Sequence, residues 1–206
     1  MSWIEEWIRP GMTVVDVGAN QGEFTKLFRQ AIGPEGVILA IEPHAPLAEV
    51  LRTNGASEVL TAVATDHAGP CTLYESQNSQ HASLYPANVL EPVGFGTGVN
   101  GVTLDDVVQT CDAIKVDTQG AEMAILRGAT RLLREVRPVW YLEIWKLGLL
   151  QAGSSVDEVC SLLDAAGYVP HASTWEQVRA SAIVMDGHGS IDVCVIPRER
   201  AGQRAA

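Results

Sequence analysis

Asp16, Gly18, Asn20, Gly22 and Glu23 fall within one short stretch, Val14-Val15-Asp16-Val17-Gly18-Ala19-Asn20-Gln21-Gly22-Glu23, and their types suit capture of a nucleotide-like ligand. Glycines at a strand-to-helix turn let the backbone approach a ligand, because a Cβ there collides with it or forbids the needed φ. The spacing narrows the choice. A dinucleotide fingerprint needs glycine where Asn20 and Glu23 stand, and a P-loop needs a lysine that the turn lacks. Asp16 and Glu23 also repel a pyrophosphate at the helix N-terminus, where anions are otherwise favoured.

The same two acids suit a positively charged ligand, and S-adenosylmethionine carries both a sulfonium and an ammonium. Glu42 stands at the end of the next apolar run, Val37-Ile38-Leu39-Ala40-Ile41, where doubly wound folds use an acid to accept hydrogen bonds from ribose hydroxyls. Further acids follow later runs: Asp66, Asp117 and Glu143. Ligands in such folds bind outside the strand carboxyl ends, so these acids are expected to converge on one crevice. Some of them are expected to cap helices instead. Methyl transfer from a sulfonium is a direct displacement that depends on alignment of the acceptor oxygen. A hydroxyl also needs a base within hydrogen-bond reach. Asp117, Glu143 and His81 are the candidates, and a solvated loop histidine is the plainer reading of His81. Asp117 and Glu143 could share a magnesium ion with a diol, but no dense cluster of ligands supports a metal.

Strands and helices must alternate to position these groups. Strands are expected at Val14–Val17, Val37–Ile41, Glu58–Ala64, Ala113–Asp117 and Val139–Ile144, with a strand-like Cys71–Glu75 pairing back as a hairpin. Tyr168–His171, Ala182–Met185 and Ile191–Ile196 read as closing strands. Helices are expected after Gly22, over Ala45–Arg52, over Met123–Arg134 and over Val156–Ala166. The pattern predicts an α/β fold: a mostly parallel seven-stranded sheet with helices on both faces and a terminal antiparallel hairpin. Residues 1–197 form a single domain in this reading, and 198–206 a flexible tail. Ser76–Gly101, rich in Ser, Asn, Gln, Pro and Gly, reads as a lid or substrate loop.

Several blocks together resemble the FkbM family of S-adenosylmethionine-dependent methyltransferases. They are Val15 to Gly22, Glu42-Pro43, Thr103-Leu104-Asp105-Asp106, Lys115-Val116-Asp117-Thr118-Gln119-Gly120-Ala121-Glu122 with Leu126-Arg127-Gly128-Ala129, and Arg137-Pro138 leading to Glu143. The resemblance implies a class I methyltransferase fold (Rossmann-like) and O-methylation of a sugar or polyketide-type hydroxyl. It assigns Asp16, Gly18, Asn20 and Gly22 to the methionine and ribose end of the cofactor, Glu42 to the ribose diol and Asp66 to the adenine. Asp117 is implied to meet the cofactor ammonium or the acceptor. Trp145 stands where family members often carry a histidine.

Composition bounds the alternatives. The 206 residues suffice for one sizeable α/β domain, and 47% of them are hydrophobic. A formal charge of −11 argues against nucleic acid or an anionic membrane as partner and leaves a small-molecule acceptor. Four scattered cysteines without a C-x-x-C pair suit a reducing compartment, and the acidic N-terminus does not read as a signal peptide, so a cytoplasmic location is expected. Trp3, Ile4, Trp7 and Ile8 would suit a docking face, so an oligomer is possible. Trp140, Trp145 and Trp175 could stack on a sugar, with core packing the blander use. An NAD-dependent oxidoreductase and a catalytically silent Rossmann-like binding domain are the competing readings. The missing glycines oppose the first, and the glycine turn with Glu42 opposes the second.

Overall fold

The computed structural model describes residues 2–76, 82–89, 92–184 and 189–202. Helix α1 (Ser2–Trp7) leads into β1 (Thr13–Val17), α2 (Glu23–Ile32), β2 (Val37–Ile41), α3 (Ala48–Thr53) and β3 (Glu58–Leu60). The chain then builds a small second sheet from β4 (Val63–Ala64), β5 (Gly69–Ser76) and β6 (Pro92–Val102). It returns through α4 (Leu104–Val107) to β7 (Ala113–Val116), α5 (Glu122–Arg127) and β8 (Val139–Trp145). Helices α6 (Lys146–Gln151) and α7 (Val156–Ala165), strand β9 (Tyr168–Pro170), helix α8 (Trp175–Val184) and strand β10 (Ser190–Pro197) complete it.

The main sheet has seven strands in the order β3-β2-β1-β7-β8-β10-β9, all parallel except β10, which runs antiparallel to both β8 and β9. Its inner strands are buried on both faces, as the continuous apolar runs dictate. On one face Val15, Val17, Ile114, Val116, Trp140 and Leu142 join the core under α5 and α7. On the other, Val14, Ile38, Ala113, Val139 and Tyr141 pack against α1 and α2. Connections run outward in opposite directions from β1 and β7, so a crevice opens at the carboxyl ends of these two strands.

Several expectations change. Glu58–Ala64 is two strands, because the Ala62 N–H bonds back to the Leu60 carbonyl (3.0 Å) and the bend sends Val63–Ala64 to pair with β6. Ser76–Gly101 is not a loop throughout: β6 occupies Pro92–Val102, paired antiparallel with β5. Its glycines 94, 96 and 98 alternate with Phe95, Thr97 and Val99, so the strand has a period of two but little apolar signal. Gln77–His81, Leu90 and Glu91 lie outside the described residues. Met123–Arg134 breaks at Gly128 and continues as a π-helical turn at Leu132–Val136.

Ala182–Val184 belongs to α8 rather than to a strand, while Met185 is outside the described residues. Thr174 and Gln177 cap this helix reciprocally: the Gln177 N–H donates to Thr174 Oγ1 (3.2 Å) and the Thr174 N–H to Gln177 Oε1 (2.8 Å). The tail begins ordered, with a 3-10 turn at Arg198–Arg200, Glu199 paired with Arg137 at 2.6 Å and Arg198 with Asp164 at 2.8 Å.

The N-terminal tryptophans do not form an outer docking face. Trp3 is 5% exposed, stacks on Tyr141 at 4.6 Å and meets Phe28 edge-on at 5.8 Å, with Ile4, Trp7 and Ile8 in the same core. The four cysteines are free, and no helix of the described residues is long and apolar enough to cross a membrane.

Candidate active site

A cavity of about 590 Å³ lies at the carboxyl ends of β1, β2, β7 and β8, with Gly18, Asn20, Glu42, Asp117, Glu143 and Trp145 among its walls. The turns after β1 and β7 face each other across it. Gly18 has φ +70°, and a Cβ there would stand 2.0 Å from the Asp117 carbonyl oxygen. Glycine is required by the neighbouring strand tip itself, before any ligand is considered. Asn20 (φ 45°) and Gln119 (φ 53°) also hold left-handed backbone, one in each turn. Such strained non-glycine residues persist where the surrounding structure over-determines them, and they cluster at functional sites.

Glu42 is 5% exposed and forms the hinge of one wall. Its Oε2 accepts the Asn20 N–H (2.9 Å), and its Oε1 accepts the His44 N–H (3.0 Å) and lies 2.8 Å from His44 Nδ1. The hydrogen bond to Glu42 pushes the His44 pKa up, against the opposing effect of burial. A carboxylate offers about four lone-pair sites, so these three contacts leave Oε2 one acceptor position, and Glu42 is among the residues lining the cavity.

Asp16 does not line the cavity. It is fully buried one residue short of the strand tip and points toward α2, where its Oδ2 accepts the Thr25 hydroxyl (2.6 Å) and its Oδ1 lies 3.3 Å from Lys115 Nζ. Gly22 likewise lies behind the wall, where a Cβ would meet Asn54 Nδ2 at 2.8 Å. Asp66 follows the bend after Ala62 away from the cavity and pairs with His67 (2.9 Å), while Ala62, Val63 and Ala64 line the wall in its place. Glu23 is exposed at the rim. His81 lies outside the described residues.

Lys115 is the residue that sequence reasoning passed over. It is 2% exposed, and its ammonium contacts the Gly18 carbonyl (2.9 Å), the Val17 carbonyl (3.4 Å), Asp16 Oδ1 (3.3 Å) and Asp117 Oδ2 (3.5 Å). It also lies 5.2 Å from the centroid of the Phe24 ring. A single lysine within the apolar run Ile114-Lys115-Val116 was the available signal, since a buried ammonium must be paired. Desolvation works against its charge, but Asp16 and Asp117 outweigh it and hold the Lys115 pKa up.

Asp117 and Glu143 line the cavity from adjacent strand tips, close enough that each acts on the other's ionisation. Hydrogen bonding to Asp117 is the main cause pushing Glu143 up to about 8, followed by burial and the Asp117 charge; Ser190 also donates to it, at 2.5 Å. Burial would raise Asp117, but the Lys115 charge and hydrogen bonds from Glu143 and Gln119 hold it below the ordinary carboxylate value. At neutral pH the pair therefore carries one proton, and its titration belongs to both groups together. Glu122, 1% exposed, accepts the Gly120 N–H (3.1 Å) as a cap; burial pushes it up to about 7.

Residues 16–170 match the profile described as the methyltransferase FkbM domain. No curated protein matches the chain. Among solved structures, an FkbM methyltransferase from Methylobacillus flagellatus superposes with a TM-score of 0.54 at 15% identity over 90% of this chain. The match spans only 43% of that longer protein. A Clostridium thermocellum protein provisionally called an rRNA-methylase gives 0.55 at 10% identity, covering 95% of this chain and 93% of that one. Aeropyrum pernix fibrillarin, solved with natively bound S-adenosyl-L-methionine, gives 0.50 at 12% identity, covering 92% and 68%. These likenesses share the class I methyltransferase fold, and the profile covers most of the sequence. The chain belongs to the FkbM methyltransferase family.

Proposed function

We propose that the chain transfers a methyl group from S-adenosylmethionine to a hydroxyl of a small-molecule acceptor, with Asp117 and Glu143 together as the base. The cofactor fits the cavity's chemistry. Among the described residues, Lys115 is the only lysine or arginine in the lining, and its ammonium is already committed to carboxylates and carbonyls. Glu23, Glu42 and Asp117 leave the cavity suited to a cationic ligand. Glu42 keeps one acceptor position for a ribose hydroxyl, and Gly18 and Asn20 supply the turn beside it. Asp16 acts from behind the wall by bracing Thr25, and Gly22 by leaving room for Asn54, whose Nδ2 donates to the Gln21 carbonyl (2.8 Å). Bound there, the cofactor supplies a methyl group on a positively charged sulfur.

The placement of Asp117 and Glu143 on neighbouring strand tips in the cavity wall is the observation that carries the reaction class. A base works best when its pKa lies near the working pH, and the pair's upper step lies near 8. With both carboxyls ionised, the pair can take the acceptor's proton and hold it between Asp117 and Glu143. Ser190 keeps Glu143 oriented. The formal charge of −11 supports a small acceptor over a nucleic acid, and four unbridged cysteines support a reducing, cytoplasmic setting.

Calorimetric titration with S-adenosylhomocysteine, of the wild type and of Glu42→Ala, tests the cofactor assignment. Binding that collapses in the variant is the expected result. No binding by a folded wild-type chain refutes the assignment. Methyl transfer from labelled cofactor to a panel of hydroxyl compounds then tests the base, with a rate that rises as pH passes about 8.

A further inference from the structure

We propose that Lys115 is the positioning residue of this site: its one ammonium fixes the glycine turn against the acid pair and selects Asp117 as the ionised member. Its four contacts divide between the two halves of the cavity. The carbonyls of Val17 and Gly18 belong to the end of β1 and the turn that follows it, and Asp117 belongs to the tip of β7. Asp16 binds the same ammonium from β1 and passes the link to α2 through the Thr25 hydroxyl. An ammonium has three protons, so these partners saturate it and leave it no free donor for a ligand. Lys115 thus acts through other groups and is not itself a catalytic residue.

The charges around it set the expected response. Asp117 faces Lys115, whose ammonium also holds Asp16, and it acts on Glu143 and Tyr141 of β8. Asp192 on β10 acts on Tyr141 and Glu143, while Glu122 on α5 and Glu23 on α2 complete the surroundings. Lys115 is the only cation in this set. Without it, Asp117 and Glu143 both sit among anions, so ionising either becomes harder.

Removing the lysine alone strands Asp16 as an uncompensated buried charge, which is strongly destabilising in general and can unfold the chain. The test therefore pairs Lys115→Met with Asp16→Asn and uses Asp16→Asn alone as its counterpart. Carboxyl carbon resonances of labelled Asp and Glu, followed by NMR from acid to pH 10, report the pair; Glu143→Gln assigns them. Expected is an Asp117 step that moves up in the double variant and down in Asp16→Asn, which leaves the whole ammonium to Asp117. A purely structural role does not produce opposite signs. If the double variant fails to fold, the downward step in Asp16→Asn alone decides. An Asp117 step unmoved in the folded variants overturns the proposal.

The second arm rests on the cofactor assignment above. Loss of the donor to the Gly18 carbonyl is expected to weaken S-adenosylhomocysteine binding about tenfold or more in the double variant, the equivalent of one charge-assisted hydrogen bond. Unchanged affinity overturns the link to the turn. Absence of binding by the wild type fails the cofactor assignment instead, and the NMR result stands apart from it.

Discussion

Replacing Gly18 with alanine probes the closest approach in the molecule that bears on the site. A new Cβ would lie 2.0 Å from the Asp117 carbonyl oxygen, about 1 Å inside the nearest approach that real Cβ atoms show. Neither atom can step aside as a flexible side chain would. The Cβ is fixed by the Gly18 backbone, whose N–H donates to the Ile41 carbonyl (3.0 Å). The Asp117 carbonyl is backbone just past the β1–β7 pairing, where the Asp117 N–H donates to the Val17 carbonyl (3.2 Å). Left-handed backbone at φ +70° costs a non-glycine residue about 1–2 kcal/mol, and forced overpacking adds about 1–3 kcal/mol. Together these destabilise the fold by about 2–5 kcal/mol, which in a chain of this size lowers the melting temperature by roughly 4–20 °C. Gly153→Ala is the control, since Gly153 has φ +75° with nothing within 4 Å of its would-be Cβ and closes α6 in left-handed backbone, where the Ser154 N–H donates to the Leu149 carbonyl (2.8 Å). It shares the backbone strain without the collision and should lose only about 1–2 kcal/mol. Urea unfolding of the two variants side by side measures the difference. Equal losses would refute the claim that the strand tips require glycine at position 18.

The remaining predictions concern titration and the N-terminal helix. Glu143 holds its proton to about pH 8 in the folded chain but only to about its ordinary 4.5 when unfolded. The folded state binds the extra proton in that window, so this group's contribution is full below pH 4.5 and is lost as pH rises toward 8. Glu143→Gln should flatten that fall in a series of thermal melts; an unchanged slope counts against the shared proton. Buried Glu122, pushed up to about 7, has the same sign, and Glu122→Gln should remove its share of the fall between pH 4.5 and 7. Asp117 has the opposite sign, since its lowered pKa gives stability that is lost only as pH falls through the folded value. Trp3→Ala should cost about 3–5 kcal/mol, as a buried aromatic does, because Trp3 stacks directly on Tyr141 of β8. A loss below 1 kcal/mol would mean that α1 is a loose appendage.

Much of the scaffold was legible in the sequence because buried parallel strands are written as unbroken apolar runs. Val14–Val17, Val37–Ile41, Ala113–Val116 and Val139–Ile144 all lie in the main sheet. Legibility failed where the signal was carried by something other than apolar periodicity. Strand β6 presents glycines on alternate positions, and the reciprocal Thr174–Gln177 cap announces α8 more clearly than the apolar residues Ala182 to Val184 suggest a strand. At the site, Asn20, Glu42, Asp117 and Glu143 do converge on one cavity. The sequence could not tell the strand-tip acids from Asp16, because one step along a strand turns a side chain from the opening to the interior. Lys115 and His44 acquire their roles from partners on other strands or from a side chain folded back on its neighbour, so spacing alone did not expose them.

The pairing of β1 with β7 also has a kinetic consequence. Asp16 stands opposite Lys115 in the register, and the bond from Lys115 to the Gly18 carbonyl joins residues 97 positions apart. Between them the chain must first lay down β2, β3 and the whole small sheet. Closing so long a loop costs entropy before the contact returns any, so topologies of this kind fold slowly. The glycine turn and the strand-tip acids therefore come into being together, in the step that completes the centre of the sheet. A partly folded chain or an isolated N-terminal half holds the glycine motif but not the site.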